Sequence, residues 1–404
     1  MNTNKTFRLV LILLLVIISF QCRNHPKQLS KKTALANGKL TFVELSGTPY
    51  GQGFKHGELL SNRIQELIEA IKTDTEDNYK VDADSIIQAF MAYQNFESSI
   101  KKFTPNLWDE IRGVADGSNI AFNDIYWLNL YEEYSKYLDN NIIPATDAGQ
   151  HCTSFGVDKT DANPSMAGQN MDISEYWHPF LTLFKTTDQD RSQLYHISYP
   201  GIVGGGPGIN KDGISINVNC LDMLKCDSIG LPYACVVRGA LQKKTYKEAL
   251  NFIETIPHAT GHNYLLGGKE KVANLECSSS QVKEFRPFNG ATFTYNANVP
   301  HVNNDFTNRA IDYANRYNVT PDSLRRWLIS RKRTPVIKTT FNESTEDFDK
   351  ERIINLFRYK EEGGSGDICK PNTNVSVLFI LSDEPKMLIA PDEPDTEPYI
   401  EFGF

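Results

Sequence analysis

The order of apolar and polar positions divides the chain near residue 150. Residues 39–45 (Lys-Leu-Thr-Phe-Val-Glu-Leu) read as a strand. After Gly51-Gln52-Gly53, apolar residues recur at Phe54, Leu59, Leu60, Ile64, Leu67, Ile68 and Ile71, a helical spacing. Further helices are expected at about 84–102, 105–116 and 122–137, the last with an apolar stripe of Phe122, Ile125, Tyr126, Leu130 and Tyr134 that reads as core. Residues 138–151, with Asp139-Asn140-Asn141, Pro144 and Gly149, read as an exposed loop. From Cys152 the pattern turns to short strand-like runs at 152–157, 180–186, 194–199 and 213–219. Two helices follow at about 234–243 and 246–255. Strands resume at 263–267, 271–277, 281–286 and 291–296, a helical pair falls at about 306–317 and 321–330, and strands at 375–381 and 387–390 close the pattern. Residues 331–372 are charged and contain Glu361-Glu362-Gly363-Gly364-Ser365-Gly366, and read as a surface excursion. No internal repeat is present. Blocks of strands alternating with blocks of helices predict an α+β fold.

The first residues carry a different pattern. Lys5 and Arg8 precede an apolar run from Leu9 to Phe20 that Ser19 alone interrupts. The run fits a signal-peptide core and falls short of the ~20 residues that span a bilayer. Cys22 follows at once and resembles a lipoprotein attachment cysteine, with Gln21 standing where a small residue is usual. Residues 1–21 are read as a signal peptide and 22–37 as a tether. The expected location is extracytoplasmic: the periplasm or a bacterial outer surface, with a lipid anchor on Cys22.

Composition narrows the chemistry. The chain has 404 residues, 42 basic and 50 acidic, for a net charge of −8. Losing residues 1–21 removes Lys5 and Arg8 and no acid, so the mature chain is more acidic still, and a nucleic-acid partner is not expected. Seven cysteines without a CxxC pair argue against a zinc ribbon or a disulfide scaffold. There is no GxSxG elbow, phosphate-binding loop, HExxH or GxGxxG. Gly204-Gly205-Gly206-Pro207-Gly208 reads as a tight turn that permits close approach, because Pro207 lacks the N–H a phosphate cradle would use. His258 and His262 have HxxxH spacing, but Pro257 and Gly261 argue for a loop there, and neither metal nor cofactor is expected.

Cys152, in His151-Cys152-Thr153-Ser154-Phe155, opens the strand-rich half. A thiol there can attack the preceding carbonyl, and water can then release a chain that begins with Cys152. The new α-amino group (reference pKa ~7.7–8.0, against ~8.5 for the thiol) would serve as base to its own side chain. Gly168-Gln169-Asn170-Met171-Asp172 lies about one hairpin downstream and would set the Asp172 carboxylate beside that strand. Asn219, ending Ile214-Ser215-Ile216-Asn217-Val218-Asn219, and Asn263, opening Asn263-Tyr264-Leu265-Leu266, are candidate amide donors to an oxyanion. Each taken alone is more often a turn, cap or core residue.

These segments, in this order, resemble the autoproteolytic cysteine N-terminal-nucleophile (Ntn) hydrolases of the isopenicillin-N acyltransferase type, with choloylglycine hydrolases and acid ceramidase as more distant kin. Gly47-Thr48-Pro49-Tyr50-Gly51-Gln52-Gly53 with His56-Gly57, Glu110 to Gly117, Gly208 to Gly213 and His262 to Leu266 extend the resemblance over about residues 40–320. It implies a four-layer αββα sandwich made as a precursor. The helical part, 38–151, would be cut from the nucleophile-bearing part, 152–404, between His151 and Cys152, and the two chains would stay associated. It implies Cys152 as nucleophile and base, Asp172 as the family's aspartate, Asn263 as its oxyanion asparagine and Asn219 as a nearby polar position. Arg309, after Asn308 where the family has Ser, takes the place of its arginine. Gln169 stands where choloylglycine hydrolases carry Arg, against a bile-salt substrate. The expected activity is hydrolysis of a small N-acyl amide (a fatty amide, N-acyl amino acid or bile-salt-like conjugate) through a cysteine acyl-enzyme, with acyl transfer as a related outcome. An acyl-CoA donor does not fit an extracytoplasmic address. A peptidase or cell-wall amidase, and a catalytically silent surface binding protein, are the competing readings.

Overall fold

The computed structural model describes residues 30–141, 152–331, 333–342, 348–361 and 366–404. Two sheets face each other. The larger runs β1 (Lys31–Leu35), β2 (Leu40–Gly47), β5 (Thr182–Asp188), β6 (Gln193–Ser198), β7 (Gly208–Asn210), β8 (Ser215–Cys220), β9 (His262–Gly267), β10 (Val272–Cys277) and β11 (Val282–Glu284). The smaller runs β12 (Phe293–Asn296), β3 (Thr153–Val157), β4 (Ser165–Asp172), β13 (Thr373–Leu381), β14 (Lys386–Pro391) and β15 (Ile400–Gly403). Neighbours pair antiparallel except β2 and β5, which are parallel and join the N-terminal part to the rest. β3 and β4 pack against β8 and β9 of the other sheet.

Helices cover both outer faces, giving the expected four layers. α7 (Tyr233–Leu241) and α8 (Tyr246–Thr255) lie on the larger sheet. The latter is closed at its start by a reciprocal cap between Thr245 and Glu248. On the smaller sheet sit α11 (Thr334–Asn342) and α12 (Lys350–Phe357), with Ile337, Ile353, Ile354, Leu356 and Phe357 buried against Phe155, Met166 and Leu378. This corrects the surface excursion expected over 331–372. The charged residues there flank two amphipathic helices whose apolar faces close a second core. The remaining pair, α9 (Asn308–Arg316) and α10 (Pro321–Arg331), covers a small satellite core around Met223 and Val299.

The N-terminal part is α1 (Pro49–Tyr79), α2 (Ala83–Tyr93), α3 (Glu97–Phe103), α4 (Pro105–Ser118), α5 (Phe122–Leu128) and α6 (Tyr131–Asn141). α1 and α4 meet backbone to backbone. A Cβ on Gly53 would stand 1.9 Å from the Glu110 carbonyl oxygen, and one on Gly117 would stand 2.0 Å from that of Phe54. Glycine at these places is what lets the two helices touch. No described helix is long and apolar enough to cross a membrane.

Two boundaries moved. Residues 31–35, placed in the tether by sequence, form β1 on the edge of the larger sheet, with Lys31 opposite Glu44 and Leu35 opposite Leu40. β4, with its Gly, Gln, Asn and Asp, is not among the strands expected from the pattern, yet all eight of its residues are buried. It lies between β3 and β13, and its polar side chains find partners in other layers.

Candidate active site

Cys152 immediately precedes β3 and is 3% exposed. β3 and β4 pair with Thr153 opposite Asn170 and Ser154 opposite Gln169. Opposed residues share a face and successive residues alternate. Ser154 and Gln169 therefore look toward the larger sheet. Ser154 Oγ donates to Asn219 Oδ1 at 2.6 Å, and the Gln169 amide exchanges hydrogen bonds with the Val218 carbonyl and N–H at 2.6 and 2.9 Å. Thr153, Asn170 and Asp172 look the other way. Asn170 Nδ2 donates to the Phe357 and Ile368 carbonyls at 2.8 and 3.0 Å, so β4 is tied to both neighbouring layers.

Asp172 ends β4 with no exposed surface. Its Oδ1 accepts from Thr373 Oγ1 at 2.7 Å, and its Oδ2 lies 3.7 Å from Arg333 Nη1. Arg333 is 1% exposed. It donates to Thr153 Oγ1 at 2.7 Å and to the Ala297 carbonyl at 3.2 Å, and so spans β3 and the Asp172 carboxylate. Burial, and then the Asp172 charge, push the Cys152 thiol up to about 12, while the Asp172 N–H and the Gln169 amide pull in the other direction. Burial raises the Asp172 carboxyl to about 6 against the downward pull of Arg333. In this setting the thiol is held protonated, and ionising it requires a further positive charge nearby.

Asn219 and Asn263 oppose each other across β8 and β9, with Asn263 Nδ2 donating to Asn219 Oδ1 at 3.3 Å. Asn219 Nδ2 and Asn263 Oδ1 are buried without a hydrogen-bond partner. Asn219 meets β3 through Ser154, and Asn263 is linked to it through Asn219. Arg309 does not join them. It lies on α9, partly exposed, with Nη1 3.2 Å from the Asp139 carbonyl and 3.7 Å from its carboxylate. The arginine beside Cys152 and Asp172 is Arg333, which sequence reasoning missed because it begins a stretch that composition assigns to the surface. His151 and Cys22 lie outside the described residues.

Cys152 forms part of the wall of a cavity of about 50 Å³. One side is aromatic: Trp177 lies between Tyr131 and Tyr199, with ring centres 4.7 and 4.6 Å away. Met171, Ile173, Ile202 and Val218 add aliphatic surface. Gly204, Gly205 and Gly206 form another wall, as the close-approach reading expected. Gly205 has φ +116°, and a Cβ on Gly204 or Gly206 would fall 2.5 Å from the Ala234 or Ile197 carbonyl oxygen.

The N-terminal helices hold that wall. His56 Nε2 accepts from the Gly201 N–H at 2.8 Å, and Asn129 bridges the Gly201 carbonyl and the Val203 N–H at 2.8 and 2.9 Å. Arg238, paired with Glu110 at 3.0 Å, donates to the Val203 carbonyl. The polar end of the cavity is made by Glu132, Cys220 and His262.

The acyl-coenzyme A:6-aminopenicillanic acid acyl-transferase family matches residues 159–370, a stretch that begins just after Cys152 and includes Asp172, Asn219, Asn263 and Arg333. Over 286 residues the chain is 25% identical to the acyl-coenzyme A:6-aminopenicillanic-acid-acyltransferase 40 kDa form of Emericella nidulans, covering 70% of this chain and 74% of that one. It is 23% identical over 269 residues to an uncharacterized protein of Archaeoglobus fulgidus, covering 61% of this chain but only 45% of the archaeal protein. Among solved structures, the Caenorhabditis elegans N-acylethanolamine-hydrolyzing acid amidase ortholog superimposes with a TM-score of 0.42 at 13% identity, over 63% of this chain and 100% of that one.

Proposed function

The chain belongs to the acyl-coenzyme A:6-aminopenicillanic acid acyl-transferase family, and from that premise we propose that it cleaves N-acyl amides with Cys152 as an N-terminal nucleophile. The observation that carries this reading is the placement of the Cys152 thiol. It stands in the wall of an aromatic-lined cavity, just before a strand whose neighbour ends in the buried Asp172 carboxylate.

Maturation begins with Cys152 Sγ attacking the His151 carbonyl. The peptide C–N bond breaks as the thioester forms, and water releases the His151 carboxylate and the Cys152 α-amine. That amine, as ammonium, is the positive charge the buried thiol lacks, and Asp172, fixed by Thr373 and Arg333, holds it. The thiolate then attacks the substrate carbonyl. The amides of Asn219 and Asn263 stabilise the oxyanion. The Cys152 ammonium protonates the leaving amine, and water or a second amine resolves the acyl-enzyme. An apolar acyl group is the part suited to the Tyr131–Trp177–Tyr199 wall. The two chains stay joined through the β2–β5 pairing and the braces on residues 201–203.

We also place the enzyme outside the cytoplasm, anchored through Cys22. Metabolic labelling with a palmitate analogue should tag the wild type and not Cys22→Ala.

Intact-mass analysis beside Cys152→Ala tests the mechanism. The wild type should give two chains with the second beginning at Cys152, and the variant one uncut chain. Active material that carries an unbroken 151–152 bond would overturn it. A panel of fatty amides, N-acyl amino acids, bile-salt conjugates and peptides then fixes the substrate class. Activity confined to peptides would replace the small-amide reading with a peptidase.

A further inference from the structure

The polar end of the cavity has the chemistry of a metal site. Cys220 ends β8, His262 opens β9 directly opposite it, and Glu132 reaches in from the first turn of α6. All three are buried, and their ligand atoms lie within 4.8 Å of one another. Cys220 Sγ is 3.7 Å from His262 Nε2, and His262 Nε2 is 3.8 Å from Glu132 Oε1. Tetrahedral zinc with Zn–S of ~2.3 Å, Zn–N of ~2.0–2.1 Å and Zn–O of ~2.0–2.2 Å separates such ligand pairs by ~3.6 and ~3.4 Å. The Cys220–Glu132 contact of 2.5 Å is closer than the ~3.6 Å zinc would set, so an entering ion must part the two atoms and displace the thiol proton. Losing it to solvent frees both for a cation.

The surroundings orient the histidine as a ligand. Thr260 Oγ1 gives its one proton to Glu133 Oε1 at 3.4 Å, so at 2.9 Å it accepts from His262 Nδ1. The Nε2 lone pair is left facing Cys220 and Glu132. Metal-ligating histidines donate their other N–H to an outer acceptor that fixes the ring, and the Thr260 hydroxyl serves as that acceptor here. Tyr233 stacks on the ring at 5.1 Å and 8°, fixing its plane. Charge also balances. The Cys220 thiolate, Glu132 and Asp222 set three negative charges against Lys136, whose Nζ is 3.3 Å from Glu132 and touches Asp222. His258, the HxxxH partner in sequence, takes no part, since its Nε2 faces the Ile253 carbonyl at 2.8 Å.

We propose that Cys220, His262 and Glu132 bind a borderline-soft divalent cation of the zinc class, with its fourth position open to the cavity that Cys152 also lines. Binding forms bonds from Sγ, Nε2 and a carboxylate oxygen to the metal and releases the thiol proton to solvent, with no change in oxidation state. The site stands independently of the role given to Cys152.

Cobalt(II) is the probe. Chelator-treated full-length protein, carrying Cys152→Ala to remove the other cavity thiol, is titrated with Co²⁺ and then Zn²⁺. One ion per chain is expected, with a thiolate-to-cobalt charge-transfer band that Zn²⁺ abolishes and Cys220→Ser lacks. Thr260→Val should bind ~10–100-fold more weakly. A folded protein without the band, or a band undiminished in Cys220→Ser, would overturn the site. If Cys220→Ser does not fold, alkylation mapping decides. Zn²⁺ must protect Cys220 from iodoacetamide, and unchanged labelling refutes the proposal.

Discussion

Arg333 Nη1 stands 3.7 Å from Asp172 Oδ2, with side-chain exposures of 1% and 0%. Desolvating both charges is costly, so removing one partner leaves the other buried and uncompensated. Arg333→Met should lower unfolding free energy by about 3–5 kcal/mol in denaturant titrations. Adding Asp172→Asn should restore part of that loss. Arg309→Ala breaks only a partly exposed pair and should cost no more than about 1 kcal/mol, leaving processing intact. Equal effects for the two arginines would contradict the assignment of Arg333 to the site.

The Asn219–Asn263 pair is a shared device. If both amides meet the oxyanion, Asn219→Ala and Asn263→Ala should each reduce kcat by ~10²–10³-fold with little change in KM. The double variant should lose less than the product, because the two side chains hold each other at 3.3 Å. Unaltered kcat in both single variants would remove them from the mechanism.

Helix propensity and packing predict opposite signs for Gly53→Ala. On an exposed helix the change would stabilise by ~1 kcal/mol. Here the new methyl meets the Glu110 carbonyl oxygen at 1.9 Å, so the helices must separate, at a cost of ~1–3 kcal/mol. Thermal unfolding reads the sign directly, and a stabilised variant would show that α1 and α4 do not touch as described.

His56 gives the fold an acid sensitivity. Burial, and then the Arg238 charge, hold its pKa down at about 3, and its Nε2 must stay unprotonated to accept from Gly201. The unfolded histidine titrates near ~6.5, so below that pH the unfolded state binds the extra proton. Stability is therefore full above pH ~6.5 and falls toward pH 3, with a slope from this residue approaching ~1.36 kcal/mol per pH unit. His56→Gln, which keeps an acceptor, should flatten the profile between pH 6 and 4 by up to that amount. Parallel profiles in urea titrations would refute it.

The order of strands and helices was readable in the sequence because burying one face imposes its period on the chain. The helical spacing from Phe54 to Ile71 became α1, and the short runs after Cys152 became the two sheets. Cys152, Asp172, Asn219 and Asn263 were readable as candidates from residue type and local motif. Their meeting was not, since it depends on β3 pairing β4 and on Ser154 reaching Asn219 in the other sheet. Tertiary structure alone decided that the polar run Gly168 to Asp172 is a buried strand, because its amides find Val218, Phe357 and Ile368 in other layers. It also decided which arginine is buried. A guanidinium leaves water only where a fold supplies a carboxylate and acceptors from distant strands, and local composition carries no record of that.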